Sequence, residues 1–222
     1  MDGEMIAEMH CHTTSSDGRD SPETVVLEAY KKGLDFLAVT DHNTFRGSIL
    51  ADKAVKLHGL NKPIIVFGNE VRTTRGDILV LCDKPLQNVS KDPWELREEV
   101  LGNNCIMIAA HPYSPYEPAV GDLIREDPRL FDAIEVWNAT NLPYLNRKAW
   151  KVARELGKPG TAGSDAHVKE EIGSAVTLVD ANDNSIESFL EAVRKGNTTP
   201  IKGLPGFKAI LVHIAWGIKR KL

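Results

Sequence analysis

Histidines and carboxylates recur beside short apolar runs in this 222-residue chain. His10 and His12 follow Met5 to Met9, with Asp17 close behind; His42 follows Phe36 to Thr40, and Glu70 follows Ile64 to Phe67. Asp77 leads into Ile78 to Cys82, His111 ends Cys105 to Ala110, and Asp165 and His167 come after Thr161 to Gly163. Imidazoles and carboxylates are the side chains that hold divalent cations. Their repetition points to one polynuclear metal centre assembled from distant segments. Two cations about 3.5 to 4 Å apart can keep a bridging hydroxide between them while neutralising the oxygens of an attacked phosphoryl group. Hydrolysis of phosphate esters is therefore the expected chemistry, with no serine or cysteine nucleophile needed.

His10 and His12 are two residues apart, so on a strand they share a face and turn Cys11 into the wall. Asp165 and His167 repeat that spacing, with Ala166 filling the space between them. Adjacent Asp41 and His42 cannot both face one metal from a regular strand. His42 is assigned to the site, and Asp41 to bracing a ligand histidine or a nearby loop. His10, His12, Glu70 and Asp165 are expected to hold a first metal pair. Asp17, His42, Asp77, His111 and His167 complete that pair or form a third position, although Asp77 also reads as a turn residue after Gly76. His42 or His167 is placed to protonate the leaving group. Arg19, ahead of Arg72 and Arg75, is the first candidate to grip phosphate. Glu135 is an outer candidate behind the metal ligands, and Asn138 and Asn141 are candidates for substrate contact. His58 and His213 read as helix residues without a catalytic role.

Positioning so many ligands requires regular elements. Ser21 before Pro22 marks the start of a helix over Glu23 to Lys32, closed by Gly33. A second helix runs from Arg46 to His58, and Asp92, Pro93 and Glu95 form a capping box for a third. Further helices are expected over Tyr144 to Leu156 and over Ile186 to Arg194, the latter capped by Asn184 and Glu187. Ala133 to Trp137 and Ala175 to Val179 complete the strands. Near-continuous apolar strands alternating with helices indicate an α/β fold with a parallel sheet covered on its outside. An open sheet gathers ligands at one crevice, whereas a barrel presents every strand end to one mouth. Ligands after at least five strands favour a TIM-barrel-like closed sheet, smaller than the eight-stranded kind. Tyr113 to Arg129 reads as a long loop or short helix over the mouth. Residues 1–206 are expected to form the barrel domain, and 207–222 an amphipathic helix packed on it.

Composition sets outer bounds. With 42% hydrophobic and 26% charged residues, the chain is of globular type. A net charge of -4 argues against a broad basic face for long duplex nucleic acid. No segment approaches the roughly 20 apolar residues of a membrane span, and the first residues carry no leader, so a cytoplasmic protein is expected. Cys11, Cys82 and Cys105 form no CxxC pair and are expected as buried thiols.

The order of these motifs resembles the PHP family, named for its polymerase and histidinol phosphatase members. The resemblance rests on His10-x-His12 with Ser16-Asp17-Gly18, on Thr40-Asp41-His42, on Gly68-Asn69-Glu70, on His111-Pro112, and on Gly163-Ser164-Asp165-Ala166-His167. It spans residues 5 to 200. It implies a distorted (β/α)7 barrel with two to three divalent ions at the C-terminal mouth of the strands: manganese, zinc or iron, with magnesium also accommodated. It also implies a small phosphorylated substrate or short oligonucleotide, the oligomeric state staying open. Asp77 stands where members often have histidine. The competing readings are a non-catalytic subunit of a nucleic-acid-processing complex and a metal-dependent amidohydrolase.

Overall fold

Ser21 accepts a hydrogen bond from the Thr24 amide and Pro22 fills the first turn, so the first helix starts where capping chemistry predicts. In a computed structural model, which describes residues 4–220, the order is β1 (Met5–Glu8), α1 (Pro22–Lys31), β2 (Phe36–Val39), α2 (Arg46–Leu57), β3 (Ile64–Thr73), β4 (Gly76–Cys82), α3 (Pro93–Leu101) and β5 (Cys105–Ala109). Then come α4 (Leu123–Glu126), β6 (Ala133–Asn138), α5 (Pro143–Leu156), β7 (Gly160–Gly163), β8 (Val176–Val179), α6 (Ile186–Lys195), β9 (Thr198–Ile201) and α7 (Phe207–Arg220). Asp92 caps α3 by accepting from the Trp94 and Glu95 amides. The cap of α6 is Ser185, which accepts from Ser188, and not Asn184.

One sheet runs β7-β6-β5-β4-β3-β2-β1-β8-β9. The sheet curls round so that the segments following β1 and β7 meet. There Cys11 pairs with Ala166 in a parallel bridge, the His12 amide donating to Ala166 O and the Asp165 amide to His10 O, both at 2.8 Å. The Thr177 hydroxyl, on β8, bonds both the amide and the carbonyl of Ala162. The result is a nearly closed, seven-stranded barrel with β8 and β9 added beside the seam. The expected parallel sheet is corrected to a mixed one: β4 is antiparallel to both neighbours, and β8 is antiparallel to β1 and β9. Apolar runs buried on both faces look alike in either direction, so periodicity alone could not distinguish them.

Alternation within each strand splits the core. Phe36, Ala38, Val66, Leu79, Leu81, Ile106, Ile108 and Ala133 fill the barrel together with Phe189, Leu190 and Val193 of α6, which closes the end opposite the mouth. Leu37, Val39 and Ile65 instead meet α1 and α2. The interior rows become polar as they rise. Val66 is followed on its side of β3 by Gly68 and Glu70, Leu79 by Asp77, and Ala133 by Glu135. Because β4 runs downward, Asp77 lies near its start.

Cys82 and Cys105 face each other across β4 and β5 and form a disulfide, leaving only Cys11 as a free, buried thiol. This corrects the expectation of three thiols: a sequence separation of 23 carries no sign that two antiparallel strands place the pair side by side. No helix among the described residues is long and apolar enough to cross a membrane. Within α7, Ala209 is buried while Phe207, Leu211, Ile214 and Ile218 are exposed; Lys221 and Leu222 of the expected terminal helix, and residues 1–3 of the expected barrel domain, lie outside the described residues.

Candidate metal centre

Glu70 is the hub of the mouth. Its Oε2 lies 3.4 Å from His10 Nε2, 3.2 Å from His12 Nε2 and 3.1 Å from His42 Nδ1, while Oε1 lies 2.9 Å from His111 Nε2. A parallel bridge between His42 and Glu70, past the end of β2, brings those two residues together. Asp165 is a second hub, its Oδ1 being 3.5 Å from His10 Nε2, 3.3 Å from His12 Nε2 and 3.7 Å from His167 Nδ1. Asp17 Oδ1 sits 3.2 Å from His167 Nε2, 3.7 Å from His12 Nδ1 and 3.8 Å from His42 Nε2.

The donor atoms fall into overlapping groups: His10, His12 and Glu70; His10, His111 and Asp165; His12, Asp17, His42 and His167; and His42, Glu70 and Asp77. Whether these groups suit cations is decided by their unsatisfied atoms. His10 Nε2, both ring nitrogens of His12, His42 Nδ1, His111 Nδ1 and Glu70 Oε2 are buried without a hydrogen-bond partner. Each such atom costs about 1–3 kcal/mol unless something binds it. Divalent cations satisfy imidazole nitrogens and carboxylate oxygens together, so the residues fit the metals the motifs imply.

The charges agree. Burial disfavours a charged imidazole, yet Asp165, Glu135 and Glu70 hold His10 well above its ordinary value. Against the same burial, Asp165 and Glu70 raise His12 to about 10, and Glu70 raises His111 to about 9. His42 is dominated by burial and falls to about 4. Glu70 and Asp165 lie well below the usual carboxylate range despite burial, because His10 and the histidines beside it surround them. Burial, reinforced by Glu70, lifts Asp77 to about 6.

A second layer fixes these candidate ligands. Glu135 Oε1 bonds His10 Nδ1 at 2.9 Å, and its Oε2 accepts from the His111 amide and Asn138 Nδ2. Asp41 binds the Thr13 amide and hydroxyl and the Ser16 hydroxyl, so it braces the loop that carries Asp17. Asn138 and Thr140 both donate to Asp165 Oδ2. His111 and Asp165 have φ of +26° and +51°, strained for residues with a Cβ. Gly163 is required by contact: a Cβ there would lie 2.5 Å from His10 Cβ.

Some placements differ from expectation. Asp77 is fully buried within β4 and paired with Arg72, its neighbour across the β3–β4 ladder, so it is no turn residue. Arg19 does not face the mouth; its guanidinium is held by Asp20 and Glu170. Ala166 packs with Cys11 in the outer core instead of between ligands. His213 is no bystander. It bonds Glu171, whose other oxygen accepts from the His167 amide, and with Trp216 and Arg220 it lines a cavity of about 340 Å³ above the centre. Arg220 reaches Asp17 Oδ2 at 2.7 Å. Arg72, His111, Ser114, Tyr116, Asn138 and Asn141 complete much of that lining, so part of the Tyr113 to Arg129 segment does sit at the mouth.

Sequence reasoning missed Glu8, a fully buried carboxylate that accepts from the His10, Ser164 and Gly173 amides and ties both ligand loops together. It also missed Glu171. A glutamate inside an apolar run was the one available signal for Glu8; for Glu171, near the last motif, only three-dimensional contact reveals the role.

Comparison with known proteins agrees with this geometry. The PHP domain profile matches residues 8–116 and the PHP-associated profile residues 143–198. An uncharacterized protein of Methanocaldococcus jannaschii is 34% identical over 146 residues, covering 61% of this chain and 82% of that protein. The 5'-3' exoribonuclease Rnm of Salmonella typhimurium is 29% identical over 223 residues, 94% of this chain but only 65% of its own length. A two-domain Bacteroides vulgatus protein containing a predicted PHP-like metal-dependent phosphoesterase shares the fold, with a TM-score of 0.72 at 20% identity over 91% of this chain and 66% of the other. Matching profiles, the ordered motifs and the convergence of their ligands place the chain in the PHP family of metal-dependent phosphoesterases.

Proposed function

We propose that this protein removes a terminal phosphate, or cleaves an end phosphodiester, from a nucleotide, a short oligonucleotide or a small phosphorylated metabolite. The observation that carries this reading is the set of buried donor atoms without partners, shared between Glu70, Asp165 and Asp17. His10, His12, Glu70 and Asp165 would hold a first metal pair, with His42, His111, His167, Asp17 and Asp77 completing it or a third position. When bound, divalent ions supply Lewis acidity toward the phosphoryl oxygens and acidify the attacking water. Manganese, zinc and iron suit this mixed nitrogen and oxygen set, and magnesium its carboxylates.

The chain's own residues do the rest. Arg72 and Arg220 line the cavity and supply the positive charge that Arg19 was expected to bring. Asn141 lines the cavity and offers its side-chain amide to orient the ester, while Asn138 and Thr140 are engaged in holding Asp165. His167 retains a side-chain exposure of 17%, unlike the fully buried His10 and His12, and is the imidazole placed to pass a proton to the leaving oxygen; His42, lowered to about 4 by burial, is neutral near pH 7 and suits a metal instead. Trp216 donates its indole N–H to the Asp17 carbonyl and helps α7 narrow the opening to water. The name of the Salmonella relative favours a nucleotide-containing substrate.

The test is metal content after purification together with phosphate release from p-nitrophenyl phosphate, nucleoside 3',5'-bisphosphates and short oligonucleotides under manganese, zinc, iron or magnesium. Bound cations and turnover of at least one ester are expected. Protein that binds no metal and hydrolyses nothing under every cation would overturn the reading.

A further inference from the structure

A groove of about 560 Å³ concentrates positive charge on a chain whose net charge is -4. Arg147, Lys151 and Arg154 line one side from a single face of α5, Lys202 lines the other, and Trp137 and Trp150 lie half-buried between them. The Lys202 ammonium stands 4.5 Å from the Trp150 ring centroid and 5.6 Å from that of Trp137. Trp137 is fixed by its indole N–H, which donates to Gly203 O at 2.8 Å. Among the described residues, Arg147, Arg154 and Lys202 have no carboxylate partner, and the groove's acid, Glu155, is already paired with Arg125 and Lys151.

Uncompensated cations beside half-buried indoles match one ligand chemistry closely. Phosphates of a flexible strand meet the cations, and its bases stack on the rings. A lone inorganic anion would leave the indoles unused, and an apolar ligand would leave the cations unused. The groove also lies next to the mouth. The register of β6 slips between Glu135 and Trp137, and consecutive Trp137 and Asn138 line different cavities, the groove and the metal cavity respectively. Asn146 links the two by donating to Asn138 O at 2.8 Å and accepting from the Asn138 amide at 3.3 Å.

We propose that this groove is a second binding site, which holds the continuing strand of a single-stranded oligonucleotide whose terminal phosphate enters the mouth. Its part in turnover rests on the hydrolase reading above; its binding of the strand does not.

The deciding measurement is fluorescence anisotropy of a labelled single strand of about ten nucleotides, a length within the range of single-strand sites, titrated with metal-depleted protein in chelator. The triple variant Arg147→Ala, Arg154→Ala and Lys202→Ala changes exposed side chains. It is expected to bind at least tenfold more weakly, with a salt slope reduced by about 2, from roughly 0.7 per phosphate contact. In turnover, its KM for the oligonucleotide rises with kcat retained, while p-nitrophenyl phosphate hydrolysis stays unchanged. Equal affinity and salt slope in the variant, or no binding by the parent protein, would overturn the groove. Intact binding with no hydrolysis of any ester would instead overturn the hydrolase reading and leave the groove standing.

Discussion

The histidine- and carboxylate-lined mouth and the α5 groove hold charge in opposite ways. At the mouth most of the candidate ligands are buried, with Asp17, His42 and His167 partly exposed, and a second carboxylate or amide stands behind many of them: Glu135 behind His10, Asp41 behind the Asp17 loop, Asn138 behind Asp165. In the groove, Arg147, Arg154 and Lys202 are exposed and lack carboxylate partners among the described residues. Chemistry at phosphorus needs donor atoms at fixed separations, which only a packed and braced site maintains. Holding a flexible strand needs net charge and aromatic surface, and tolerates mobile side chains.

That contrast can be broken most sharply at Glu70. Glu70→Gln replaces a carboxylate whose two oxygens together face four histidines, three at Oε2 and one at Oε1. Several kcal/mol of electrostatic stabilisation is lost, so kcat/KM for a small phosphoester should fall about a thousandfold or more, with lowered metal content by elemental analysis. Unchanged activity would dissolve the distinction between the two regions. Glu135→Gln acts one layer out and should weaken metal affinity by about 10- to 100-fold, read by chelator competition, with strand binding to the groove unaffected.

Acidity separates the regions next. Without metal, His12 and His111 titrate near 10 and 9, above the ordinary histidine value, so both carry protons at neutral pH. Cation binding must release those protons, and affinity should strengthen as pH rises from about 6.5 toward 9. Calorimetry in buffers of different ionisation heat measures the release. The same shifts stabilise the metal-free fold below the unfolded value of about 6.5, a contribution lost as pH climbs through 9 to 10. Excess cation should reverse that trend. Groove affinity, resting on arginine and lysine, should stay flat across this range. The smallest effect belongs to Arg19→Ala: its ion pairs go to Asp20 and Glu170, and kcat/KM is expected to stay within about twofold.

Much of the mouth was legible because its ligands follow apolar runs, and strands ending at a common rim leave few other places for histidine and carboxylate to converge. His10-x-His12 and Asp165-x-His167 were readable as pairs. Their mutual pairing through Cys11 and Ala166 was not, since it joins residues 155 positions apart. The Ser21 and Asp92 caps of α1 and α3 were read correctly from local chemistry, but the return half of the expected capping box does not form: the Asp92 amide donates to Ser90 Oγ, and Glu95 accepts from the Ser90 hydroxyl. Strand direction in β4 and β8, the Cys82–Cys105 bond and the Arg19–Glu170 ion pair depend on partners remote in sequence, and no local pattern encodes them. The role of α7 was obscured by its apolar stripe, which suggested packing inward. Instead His213, Trp216 and Arg220 turn toward the mouth, while Phe207, Leu211, Ile214 and Ile218 remain exposed.

The seam between Cys11 and Ala166 has a consequence for biosynthesis. During translation His10 and His12 precede their neighbours across the seam by some 155 codons. Until that segment has been made, His10 and His12 lack Asp165 and His167, which complete their donor groups, so a full set of donors exists only once the seam can close.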